Sequence, residues 1–199
     1  MSLVELIAQA DERGLATSGL ACLDRCVPLL GGDDEVLRPL WASLADGGGD
    51  WAEGLEKART ALDSVGPEEP AEDEAALLTR RMLGAAPAER MGAGIRVWAD
   101  ACSVASLQIH RLLDPAGDGA GSADELPHAL NSVRAGGIPA EGRTEGMSPL
   151  VAAELRRQVT VLELLAGYGT GGLRQALEVS TEGRRVLRAV VSRRARGRG

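Results

Sequence analysis

MGAGIRVWADACSVASLQIHRLLD, residues 91 to 114, places Met91, Ile95, Trp98, Cys102, Ala105, Ile109 and Leu112 at alternating spacings of three and four. That is the period of an amphipathic helix; a strand would alternate strictly in twos. The run starts just after Pro87 and reaches Asp114, so it is expected to form the longest helix and the central one. Gly92, Gly94, Ala101 and Ser106 are small enough to admit close neighbours. The two glycines each cost roughly 1 kcal/mol relative to Ala in a helix, so tertiary packing is expected to hold that end.

Working outward, the same period recurs and the chain reads as all-α, a bundle of about seven to nine helices. A second well-marked helix opens at Asp50 and Glu53 in the spacing of a capping box, carries Trp51, Leu55, Ala58, Leu62 and Val65 on one face, and stops at Gly66-Pro67. Earlier helices are expected near 2 to 12, 16 to 30 and 34 to 45, the last two bent or shortened by Pro28 and Pro39. Later ones are expected near 71 to 83, 123 to 134, 148 to 166 and 172 to 195. A Gly-rich loop from Ala135 to Ser148 precedes the closing pair. The chain divides into one domain, 1–182, and an Arg-rich helix end or tail, 183–199.

The composition suits this class. Of 199 residues 44% are apolar, but Phe is absent and only three Trp and one Tyr are present, so the interior must be built from aliphatic side chains and Ala. Acids among the first dozen residues, with no basic region before an apolar run, do not make a secretory signal. No stretch reaches the roughly 18 apolar residues of a membrane span. Three cysteines, an odd number, fit buried thiols in a reducing compartment. A cytoplasmic location is therefore expected.

DPAGDGAGSADE, residues 114 to 125, carries the most specific spacing in the chain. A twelve-residue calcium loop wants oxygen ligands at positions 1, 3, 5 and 9, glycine at 6 and a bidentate glutamate at 12. Asp114, Asp118, Ser122, Gly119 and Glu125 fill those slots, while position 3 is Ala116. The segment resembles a single degenerate EF-hand. That resemblance implies weak calcium binding through Asp114, Asp118, Ser122 and Glu125, since position 3 supplies no ligand and no second hand follows. The other reading is a helix-to-helix connector in which Ser122 and Glu125 form a capping box.

Charge is uneven. Residues 1–145 hold 25 acids against 12 bases, whereas residues 146–199 hold 4 against 10. From Gly183 onward there are seven arginines, Arg184, Arg185, Arg188, Arg193, Arg194, Arg196 and Arg198, and no acid. Clustered cations bind phosphates by releasing counterions; the same residues also suit a helix C-terminus, a solvated tail, or docking on the chain's own acidic half. An acidic body with a basic end could recruit a protein partner or pair head to tail in a homodimer. A net charge of −7 confines nucleic-acid contact to the tail.

Other patterns point to structure. GYGTGG, residues 167 to 172, lacks the Lys-Ser or Lys-Thr of a phosphate loop and reads as a helical corner. Cys22, Cys26, Cys102 and His110 lack the paired spacing of zinc ligands. His110 and His128 read as surface or hydrogen-bonded polar residues, and Glu68 to Glu74 as a solvated acidic face. No nucleophile beside a base and no cofactor fingerprint emerges. The expectation is a non-enzymatic interaction or adaptor module, with a calcium binder and a nucleic-acid accessory protein as alternatives.

Overall fold

The computed structural model of the chain describes residues 1–33, 35–45, 48–63, 73–114, 126–136 and 147–197. Among them the secondary structure is all-α, within the expected number of helices. None is long and apolar enough to cross a membrane.

Helix α1, Leu3–Gln9, is opened by a capping box in which Ser2 and Glu5 exchange bonds. Helix α2, Glu12–Cys26, begins earlier than its apolar spacing suggests, because Asp11 caps it by accepting from Gly14 N at 2.6 Å. Pro28 ends it as expected: residues Val27–Leu30 form a 3-10 turn that stops at Gly31, whose φ of 69° an L side chain would resist. Pro39 likewise shortens α3 to Arg38–Ser43. Helix α4 is Trp51–Asp63, with Asp50 Oδ1 accepting from Glu53 N at 2.9 Å. Helix α5, Glu74–Gly84, is capped by Asp73.

The run that opened the argument is α6, Gly92–Leu113. Ile95, Trp98, Cys102 and Ile109 are buried along its stripe, whereas Met91 is exposed. Its weak N-terminus is held from outside: Glu12 accepts from Gly92 N at 2.7 Å, and Arg96 donates to the carbonyls of Ile7, Ala8 and Ala10 at the end of α1. Helix α7 is Leu126–Ala135, α8 is Pro149–Tyr168, and α9 is Leu173–Gly197. Between α8 and α9 a 3-10 turn, Gly169–Gly172, makes the expected corner. Gly172 packs so close that a Cβ would lie 2.5 Å from Leu164 O.

Three expectations need correcting. The longest helix is α9, with 25 residues against 22 for α6. The helix enclosed on all sides is α2, where every residue from Gly14 to Cys26 is buried. It is packed by α6, α8 and α9. The close approach falls at Gly19, where the six-membered ring of Trp98 occupies the space a Cβ would take, while Gly92 and Ala101 face solvent. Helix α9 runs without a break through residue 183, so the Arg-rich stretch continues the helix that starts at Leu173.

Candidate functional site

Among the described residues two groupings of charged side chains stand out, one sealed and one open. The sealed one is centred on Arg25 of α2 and Glu154 of α8, both with side chains 0% exposed. Their contact is bidentate: Arg25 Nε donates to Glu154 Oε2 at 2.8 Å and Nη2 to Oε1 at 2.6 Å. Glu154 Oε1 also accepts from Ser106 Oγ at 2.7 Å and from Gln158 Nε2 at 2.9 Å. Ser103 Oγ donates to Gln158 Oε1 at 2.6 Å, and Arg134 of α7 donates to Ser103 Oγ and pairs with Asp100. One polar chain thus ties α2, α6, α7 and α8 together.

The candidate ligands cited from sequence lie beside it. Cys22 Sγ sits 3.4 Å from Arg25 Nη2, and Cys26 Sγ 3.8 Å from Ser106 Oγ; Cys102 is buried too, and all three are free thiols. Burial pushes the Cys22 thiol up to about 12, and the other two rise for the same reason. A thiol raised by apolar surroundings is neither a nucleophile nor a ready ligand. Among the described residues no group of His, Cys, Asp and Glu is arranged to hold a metal.

His110 is buried and hydrogen-bonded, the second of the two positions expected of it. Its Nδ1 donates to Ser106 O at 2.7 Å, and Nε2 lies 3.6 Å from Glu154 Oε2. Burial holds the imidazole below its ordinary value despite the nearby carboxylate. Burial also opposes ionisation of Glu154, but Arg25, His110 and the hydrogen bonds outweigh it and hold that carboxyl well below the usual range.

Both shifts have the same sign for stability. His110 stays neutral in the fold while the unfolded chain gains a proton near pH 6.5, so its contribution is present above that pH and lost as pH falls. Glu154 contributes above about pH 4.3 and is lost below it. Asp24, raised by burial, acts in the opposite sense, over the range from the ordinary carboxylate value up to its raised folded one. Urea midpoints are expected to fall between pH 7.5 and 5.5, with a limiting slope of about 1.4 kcal/mol per pH unit for one proton. His110→Gln should flatten that slope; an unchanged slope would exclude His110 as its source.

The open site is α9. Arg184, expected among the exposed arginines, turns inward instead: Nη1 donates to Asp24 Oδ1 at 2.7 Å, while Ser180 Oγ donates to Asp24 Oδ2 at 2.7 Å. Arg185, Arg188, Arg193, Arg194 and Arg196 stand exposed, and Arg194 reaches back to Leu112 O at 2.8 Å. Arg198 lies outside the described residues.

No family model, curated protein or solved structure matches this chain.

Of the calcium candidates only Asp114 is among the described residues; Asp118, Ser122 and Glu125 lie outside them. Asp114 is buried, and its Oδ2 accepts from Ser148 Oγ at 2.5 Å and from Leu150 N at 3.1 Å. It therefore helps cap α8 across the intervening segment. No spacing in the chain marks Arg25, Glu154 or Asp24 as partners. The available signal was local: Asp24 and Arg25 are the only charges in an otherwise small and apolar run from Gly14 to Cys26.

Proposed function

We propose that the protein is a non-enzymatic helical interaction module that holds an acidic protein partner against the outer face of α9. The observation that carries this reading is the division of charge along that helix. Arg184 neutralises buried Asp24, while five further arginines face outward with no acid after Glu182. The polar groups best suited to chemistry, Glu154, His110 and the thiols, are all buried in the interior, with Glu154 held by Arg25.

A protein partner suits this face better than a nucleic acid. Binding of single strands leans on exposed aromatic rings for base stacking. Trp41, Trp51 and Trp98 are all buried, the exposed ring of Tyr168 stands at the end of α8 before α9 begins, and a net charge of −7 repels a polyanion beyond the helix itself.

Cross-linked capture from the source cell, comparing the wild type with a variant carrying Arg185→Glu, Arg193→Glu and Arg196→Glu, tests the reading. The wild type should retain an acidic protein, and the variant, folded by circular dichroism, should not. Retention should also fail near 0.5 M salt, where the screening length is about 4 Å. Equal capture by both proteins would sink the reading. Capture that vanishes with nuclease would replace it with nucleic-acid binding, and a concentration-dependent dimer that dissociates in salt would make the partner a second copy.

A further inference from the structure

Between α9 and α3 lies a hollow of about 400 Å³, within the size range of ligand sites. Leu177, Thr181 and Arg185 line it from α9, and Arg38 and Trp41 from α3. The Asp24–Arg184 pair and the carboxylate of Glu35 complete the lining. One turn further along α9, Arg188 borders a second hollow of about 390 Å³ with Pro28, Gly31, Gly32 and Asp33.

The charges of the first hollow can be assigned one by one. Arg184 is committed to Asp24. Arg38 pairs with Glu35 at 2.6 Å, but both side chains are more than 60% exposed, so that bridge is weak and exchangeable. Among the described residues Arg185 pairs with no acid. One cation is thus left over, beside an apolar wall of Trp41 and the exposed Leu177. The indole N–H of Trp41 has no acceptor.

Resting on the function proposed above, we propose that this hollow seats a short acidic-apolar peptide segment of the partner. One carboxylate takes the guanidinium fork of Arg185, whose planar donors match it. Arg38 exchanges Glu35 for the same ligand, and a neighbouring aliphatic side chain covers Trp41 and Leu177. A phosphodiester chain would match the single spare cation but not the apolar wall.

Selection of random twelve-residue peptides on the full chain provides the test. Enriched peptides should place Asp or Glu beside Leu, Ile or Val. Synthesised and labelled, they should bind in anisotropy titrations, and Arg185→Glu should weaken them by about tenfold or more. Leu177→Ser should weaken them several-fold, while paired Arg193→Glu and Arg196→Glu should have little effect. Loss of binding only in the distal pair would overturn the hollow yet leave the α9 reading standing. Binding indifferent to every variant would overturn both. Failure to enrich any acidic-apolar motif, or equal competition by a twelve-residue oligothymidylate, would also overturn the peptide seat.

Discussion

Glu154→Leu is expected to lower stability by about 3–5 kcal/mol, the usual loss when one partner of a buried ion pair is removed. That is a large share of the roughly 5–15 kcal/mol that holds a domain folded. The damage would come from what remains. Arg25, 0% exposed, would keep its charge with no carboxylate, and Ser106 and Gln158 would lose their shared acceptor. Arg25→Met should be comparably harmful, because it strands Glu154. The double variant Arg25→Met/Glu154→Leu should recover most of the loss, since well-packed apolar side chains replace buried ion pairs at little cost or with a gain. Denaturant titrations of all four proteins give the coupling free energy directly. A double variant no more stable than the worse single would show that these side chains act mainly through shape.

The second large effect is expected at Gly19. A Cβ there would lie 2.5 Å and 2.7 Å from Cζ3 and Cε3 of Trp98. The ring cannot easily withdraw. Its N–H donates to Met82 O at 2.9 Å, and Trp51 packs edge-on against it with centroids 6.0 Å apart. Gly19→Ala should therefore cost about 1–3 kcal/mol through overpacking, although Ala is by itself the better helix former by roughly 1 kcal/mol. Gly167 in α8 is the matched control, because nothing lies within 4 Å of the Cβ position. Gly167→Ala should raise stability by about 0.5–1 kcal/mol. Thermal or urea unfolding of both variants reads the two signs. A stabilising Gly19→Ala would mean that α2 and α6 can separate at this contact without penalty.

These two sites mark where sequence reading stops. The stripe from Ile95 to Ile109 was legible because α6 has one buried face, and a one-sided helix writes its period into its residues. Pro28, Pro39 and Asp50 were legible as punctuation because their effects are local. Helix α2 was harder to rank. Enclosed by neighbours on all sides, it has no polar face, and its mix of Gly, Ala, Thr, Ser and Cys has no strong period. Arg25 and Glu154 are 129 positions apart, and no local rule relates them. The arginine cluster of α9 was visible as composition; that Arg184 faces inward and Arg185 outward depends on the rotation of that helix about its axis, which its neighbours fix.

The chain alone therefore determined the all-α class, the approximate helices and the basic end, because periodicity, capping and proline stereochemistry act within a few residues. Tertiary structure alone decided which helix is enclosed, which charges neutralise one another in the interior, and that Asp114 caps α8. Those outcomes depend on groups distant in sequence meeting in a medium with little water, where a buried charge persists only beside its partner.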